Sequence, residues 1–362
     1  MKTKIAFLSA GLGNVSRGFE ISAAVWFTEL KNYPGVEVKL FSGGNYAGAT
    51  KVWNTPRDGK IAAFIRKLNL IKDGCRLERI TFGIGFLFQL IAYRPDIIWL
   101  QEETIGNLLL FFRKTFGFSY KILFCDGAPI GYNSIKQFDY LIFLHDYAMR
   151  EAVEAGADPE KCAVIPHISL FPEHKLEKKA AREILNLEPD KLVIICVAAW
   201  NKYHKRIDYL LRETAKLGPG VTLLLCGQPE KDSDSLKEEA ALLGIDVHWR
   251  TLTQKELSVA YMASDIFVLP SLHEGLGVVL IEAGAHSLPV VSHPHMGAKF
   301  ILGEDYEGLT DLSEEGGFSE KIREYIQSGN LSQKGDETYD IINNKFNKNL
   351  LINKFINFVK AI

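Results

Sequence analysis

Short apolar runs that end in polar residues alternate with stretches of helical spacing along the whole chain. "KIAFLSA" is the first, followed by the loop "GLGNVSRG" and a helix expected over about 19–33. "VEVKLFS", "DIIWLQ", "YKILFCD" and "YLIFLHD" repeat the rhythm. Runs that are apolar at nearly every position suit strands covered on both faces, as in a parallel sheet. The rhythm restarts at Leu192 with "LVIICVAAW", "VTLLLCG", "DVHWR", "DIFVLPS" and "LPVVSH", with helices expected over 234–243 and 254–263. The expected fold class is therefore α/β, with two doubly wound Rossmann-like domains, 1–170 and 171–340, joined within 166–190. A tail at 341–362 is expected as an amphipathic helix that packs back on the body. Ligands of open parallel sheets bind beyond the carboxyl ends of the strands, at the switch point. Two such domains predict a central cleft, so the loops after the strands carry the candidate residues.

Composition narrows the function classes. A chain of 362 residues exceeds one typical core. A net charge of −2 and a pI near 6.5 give no basic field for nucleic acid. The five cysteines are scattered without C-x-x-C spacing, which predicts reduced thiols rather than a metal site or a disulfide framework. "MKTKIAFLSAG" shows no signal-peptide core, and a cytoplasmic location is expected. The longest apolar run, "ITFGIGFLFQLIAY" at 80–93, is too short to span a bilayer. It is expected as a buried helix, with a peripheral position on a membrane surface as the alternative.

The stretch "HEGLGVVLIEAGAHSLPVV" at 273–291 holds Glu274 and Glu282, the second within a nearly unbroken apolar run. An unpaired carboxylate in such surroundings costs several kcal/mol, so Glu282 needs a reason to be there. The run "DIFVLPS" predicts a strand, "LHEGLG" the loop at its carboxyl end, and "VVLIEAGAHS" a helix start. Gly275 and Gly277 leave the backbone N–H groups of Gly275, Leu276 and Gly277 open to an anion at the helix N-terminus. Glu274 can reach hydroxyls on one side, and Glu282, about a turn and a half further on, a ribose on the other. The alternative is a surface Glu282 paired with a lysine and a Glu274 that caps the helix.

Pro270, Ser271, Glu274, Gly275, Gly277, Glu282, Ala283, Pro289, Val290 and Val291 together resemble the donor-binding motif of glycosyltransferase family 4, the retaining enzymes of GT-B architecture. Ser287 departs from the motif, which usually has Gly there. The resemblance implies a retaining glycosyltransferase with a nucleoside-diphosphate sugar as donor, no cofactor and no essential metal. It makes 1–170 the acceptor-binding domain and 171–340 the donor-binding domain. It assigns donor-sugar hydroxyls to Glu274, the ribose to Glu282 and the diphosphate to the N–H groups between them. The acceptor would be a glycan, a lipid-linked saccharide or a small molecule. A sugar-nucleotide epimerase or hydrolase on a related scaffold, and a catalytically inactive sugar-nucleotide-binding subunit, are the other readings.

The remaining candidates lie at other strand ends. In "VAAWNKYHKRIDYL", Lys205 occupies the family's phosphate lysine, whereas Ala199 stands where the family has arginine. Lys202, Arg206 or Arg17 is expected to supply the second cation, with Arg17 favoured because adjacent side chains on a helix diverge. Gly13, in the first loop, is implied near the donor phosphate, and Arg17 pairing with Glu20 is the bland alternative. Asp126 ends "YKILFCD", where the family has a histidine; it would orient the donor or take a proton, or else form an Asx turn. Glu102 and Glu103 are expected to meet the acceptor. His145, ahead of a helix capped by Asp146, and His293 and His295 are expected to close strands or line the cleft. Asp232 and Asp234 resemble a metal pair, but a helix N-cap cluster fits their spacing better.

Overall fold

A computed structural model describes residues 2–15, 18–67, 73–127, 131–169, 172, 174 and 176–362. It divides into two compact units, Met1–Ile168 with Leu351–Ile362, and Ser169–Leu350. The tail is two helices rather than one, Leu331–Phe346 and Lys348–Ala361, broken at Asn347. The second of them belongs almost entirely to the first unit, where Phe355 stacks on Trp26 at 4.7 Å.

The first unit holds a parallel sheet of strands β1 (Thr3–Ser9), β2 (Val36–Ser42), β3 (Thr50–Lys51), β4 (Ile97–Leu100), β5 (Lys121–Asp126), β6 (Tyr140–Phe143) and β7 (Cys162–Val164). Their order is β3-β2-β1-β4-β5-β6-β7, so chain direction across the sheet reverses between β1 and β4. The two-residue β3 and the short β7 carry too few apolar positions to stand out in the sequence. Across the switch point Ile5 pairs with Ile97 and Ala6 with Ile98, all buried in the core.

The second unit repeats the plan with β8 (Leu192–Val197), β9 (Val221–Cys226), β10 (Asp246–Arg250), β11 (Ile266–Leu269) and β12 (Val290–Ser292). All pair in parallel in the order β10-β9-β8-β11-β12, with the reversal between β8 and β11. Both sheets are doubly wound, and ligands of such sheets bind beyond the carboxyl ends of the strands at the switch point. The helix Gln254–Ala263 begins with a capping box, Thr253 and Glu256 each bonding the other's backbone N–H. Beyond β11 runs the helix Val278–Ala285, whose start at Gly277 is left-handed, φ 87°. A β-carbon on its Gly284 would stand 2.4 Å from Ile342 Cγ1, so the missing side chain seats the Leu331–Phe346 helix.

The apolar run at 80–93 is not wholly buried. It forms the second half of the helix Gly74–Tyr93, which buries Phe82, Phe86, Leu90 and Tyr93 against the sheet. Ile84, Phe88 and Ile91 point outward, Phe88 with 74% of its surface exposed. A helix packed on one side of a sheet buries only one face, whatever its composition.

Candidate functional site

The loop after β8 and the loop after β11 flank the switch point of the second sheet, and their side chains meet there. Asn201, 2% exposed, shapes the first loop: its Oδ1 accepts from the backbone N–H of His204 at 3.1 Å and of Lys205 at 2.8 Å. Lys205 is thereby turned toward the second loop, where its ammonium forms a short ion pair with Glu274. His204 Nε2 contacts the carbonyl of His273 at 3.1 Å and lies 3.9 Å from Glu274. Burial works against the charge on Glu274, but Lys205, the Ser271 hydroxyl and His204 outweigh it and hold the carboxyl below its usual range. So a lysine does pair with one of the two glutamates, and it is Glu274 rather than Glu282.

Glu282 lies just over one turn into the helix and accepts from the Tyr261 hydroxyl at 2.9 Å. Burial pushes its carboxyl up to about 7, with only Tyr261 opposing. The Tyr261 partner explains how the apolar helix tolerates the group. The first N–H groups of this helix have no intrahelical partner, and Glu274 to Gly277 lead directly into them. Gly297 completes the wall: a β-carbon there would meet the Leu276 carbonyl at 2.3 Å. His295 caps the helix Met296–Leu302 through Nδ1, which accepts from Ala298 N at 3.1 Å. Its Nε2 therefore carries the proton, and that N–H is buried without a protein partner. Burial pushes the ring down to about 4, so it stays neutral. A β-carbon on Gly277 would lie 3.7 Å from His295 Cε1, which puts this imidazole beside the helix start. His293, by contrast, accepts from Leu312 N at 3.2 Å and braces a loop.

The other expected cations are spent elsewhere. Arg206 has a left-handed backbone, φ 49°, and does not continue the helix that it precedes. Its guanidinium donates to the carbonyls of Pro270, Leu312 and Ser313 and stacks 4.2 Å from the Tyr209 ring. It ties the Pro270 loop to the body instead of presenting a free charge. Lys202 pairs with Glu239 at 3.4 Å. Arg17 lies outside the described residues. Asp232 stands at a helix N-cap, but its carboxylate accepts from Lys202 N at 3.1 Å rather than from the helix itself. Among the described residues no group of three or more His, Cys, Asp or Glu could hold a metal ion. All five cysteines are free thiols.

At the switch point of the first sheet Glu102 turns inward. It is 4% exposed, accepts from Ala10 N at 3.0 Å, and leaves its other oxygen buried without a hydrogen-bond partner. Burial pushes its carboxyl up to about 7. It clamps the end of β1 to the end of β4. Glu103 is half-buried and within 3.4 Å of Asn107. Glu20 pairs with Arg57 at 3.4 Å, and Arg57 with the buried Glu78 at 2.7 Å, so Glu20 has a partner other than Arg17. Gly13 has φ 84°, and a β-carbon would meet Gly44 at 2.6 Å; its absence lets the loops after β1 and β2 lie backbone to backbone. Asp126 closes β5, half-buried. His145, not Asp146, caps its helix, accepting from Ala148 N at 3.1 Å, while Asp146 pairs with Arg150.

Asn201 and Tyr261 were not legible as site residues. Asn201 acts through backbone N–H groups, and Tyr261 reaches Glu282 from another helix; neither leaves a spacing pattern.

Two parallel sheets, with a cation–carboxylate pair and a glycine-led helix at one switch point, define a doubly wound α/β protein. Residues 177–338 match the family of glycosyl transferases group 1. The sequence is 32% identical over 167 residues to D-inositol 3-phosphate glycosyltransferase of Mycobacterium tuberculosis, covering 44% of this chain and 34% of that protein. The chain spans between a third and under two thirds of the length of the curated relatives it matches. The fold is that of GT-B glycosyltransferases. It resembles sucrose-phosphate synthase from Thermosynechococcus elongatus with a TM-score of 0.81 at 17% identity, over 99% of this chain and 98% of that one. Anabaena HepE, solved with UDP and glucose, gives 0.77 at 16% identity, over 99% and 100%.

Proposed function

We propose that this protein is a retaining glycosyltransferase that moves a sugar from a nucleoside-diphosphate sugar to an acceptor hydroxyl without a metal. The observation that carries the reading is the Lys205–Glu274 pair at the glycine-led start of the Val278–Ala285 helix, with Glu282 behind it. The diphosphate sits on the open N–H groups from Gly275 onward, and Lys205 divides its charge between Glu274 and the departing phosphate. The buried His295 N–H adds a neutral donor at the same end of the helix. Glu274 accepts from donor-sugar hydroxyls and Glu282 from the ribose. The bond from the anomeric carbon to the diphosphate breaks, the acceptor oxygen bonds to that carbon on the same face, and its proton passes to the leaving phosphate. The acceptor is a glycan, a lipid-linked saccharide or a small molecule, and the place of action is the cytoplasm.

A second reading is favoured by one observation. Among the described residues the two cations at the donor loop are both already engaged, Lys205 with Glu274 and Arg206 with three backbone carbonyls, as fits a sugar-nucleotide-binding subunit without turnover. A thermal-shift screen of nucleotide sugars, beginning with UDP-glucose, followed by nucleoside-diphosphate release from the hit, separates the two. A ligand present at a hundredfold its Kd adds about 2.7 kcal/mol of stability. Binding with release supports the transferase; binding without release, with acceptor mixtures present, supports the inactive subunit; no binding by any sugar nucleotide overturns both.

A further inference from the structure

Eight large apolar side chains of the first unit stand in solvent between 53 and 116: Trp53, Ile61, Phe64, Ile84, Phe88, Ile91, Phe111 and Phe116. They belong to three neighbouring helices, Lys60–Lys67, Gly74–Tyr93 and Glu103–Phe116, and to the segment that crosses them. Glycines bring these parts together. A β-carbon on Gly83 would meet Leu108 at 2.8 Å, and one on Gly85 would meet the Trp53 carbonyl at 2.4 Å. Ile84, Phe88 and Ile91 recur at helical spacing, so the Gly74–Tyr93 helix has an inner apolar face on the sheet and an outer one facing water. Exposed apolar surface on this scale marks a contact site.

The charges around it point to one occupant. Between 51 and 117 the sequence carries 11 Lys and Arg against six Asp and Glu, in a chain whose net charge is −2. On the three helices every described exposed charge, Lys60, Lys67, Arg76 and Lys114, is a cation. Glu78 is buried against Arg57. A self-complementary pairing of two copies through this face would set cation against cation. Asp58 and Asp73, just ahead of two of the helices, are exposed acids beside them. Aromatic and aliphatic side chains on helices whose own exposed charges are all Lys and Arg match the interface of a bilayer with anionic headgroups. Among the described residues no helix is long and apolar enough to cross a membrane, so the contact is with its surface.

We propose that the outward faces of these three helices dock the protein on an anionic lipid bilayer, with Phe88, Phe64 and Trp53 inserted among the headgroups. The proposal is independent of the transfer reaction. Trp53 supplies the readout, since it is 66% exposed while Trp26, Trp99 and Trp200 are buried. The intact chain is mixed with vesicles of phosphatidylcholine, with and without phosphatidylglycerol. The expected result is co-sedimentation and a blue shift of tryptophan emission with phosphatidylglycerol only, weakened by salt. Phe88→Ser should lower vesicle affinity by about tenfold, and Lys60→Glu by several fold. Leu242→Ser, an exposed change in the second unit, should leave it unchanged. All three positions are exposed, so thermal melts matching the parent chain accompany the result. Absence of vesicle binding, equal binding to neutral vesicles, or binding indifferent to Phe88→Ser overturns the proposal. So does a dimer in light scattering that Phe88→Ser dissociates.

Discussion

Lys205 and Glu274, 69 residues apart in the chain, form an ion pair between the loops that follow β8 and β11. Each loop leaves the sheet on one side of the point where strand order reverses. Both side chains are mostly shielded, 19% and 11% exposed. Removing one partner strands a shielded charge, which costs more than the net worth of the pair.

Lys205→Met should therefore destabilise the second unit by about 2 kcal/mol, less than the 3–5 kcal/mol of a fully buried pair. Adding Glu274→Gln should restore most of this without restoring turnover. A double-mutant cycle in chemical denaturation reads the coupling, expected above about 1 kcal/mol. Simple additivity would mean that the pair is not formed in solution.

Glu282→Ala should weaken binding of the bare nucleoside diphosphate, by about 1.5–3 kcal/mol for a lost charged hydrogen bond. Glu274→Ala should spare the bare nucleotide and impair the sugar nucleotide. Calorimetry with both ligands checks the division; equal losses on both would refute it.

The raised carboxyl of Glu282 makes stability depend on pH. Folded Glu282 titrates at about 7 against 4.5 ordinarily, so between these values the native state holds a proton that the unfolded chain has released. Stability is therefore lost as pH rises through that window, by at most about 3 kcal/mol from this group. Glu102 acts in the same direction. Glu282→Gln should flatten part of the fall in melting temperature across the window, and the difference between the two curves isolates the Glu282 share. A parallel pair of curves would contradict the shift.

Ser287 holds a left-handed backbone, φ 56°, at the end of the Val278–Ala285 helix, with its N–H bonded to the Gly284 carbonyl at 2.9 Å. That conformation costs a side chain about 1 kcal/mol and glycine nothing. Ser287→Gly should raise the melting temperature by about 2–4 °C, after allowing for the entropy that glycine adds to the unfolded chain. A lower melting temperature would show that the serine hydroxyl makes a compensating contact.

Turnover should survive EDTA, because Lys205 and the helix N-terminus supply the countercharge. Loss of activity on chelation, with recovery on added Mg²⁺ or Mn²⁺, would return Asp232 and Asp234 to consideration as ligands.

The apolar runs determined the two parallel sheets by themselves, because a strand buried on both faces must be apolar at every position. The glycines and glutamates of 274–282 marked the loop after β11 and the helix start that follows it in the same way, since glycines there leave the backbone open. Ser287 was visible as a departure, and its positive φ supplies the reason glycine suits that place. Only the tertiary structure decided which partner each charge takes. Lys205 and Arg206 are neighbours in sequence, yet a left-handed turn sends one to Glu274 and the other to three carbonyls. Glu102 and Glu103 look alike in "LQEE", yet the end of β1 claims the first as a clamp. The outward face of the Gly74–Tyr93 helix was equally hidden, since its inner and outer residues are both apolar and only packing on the sheet tells them apart. Local patterns fix what a segment can become; pairings across tens of residues depend on which strands lie side by side.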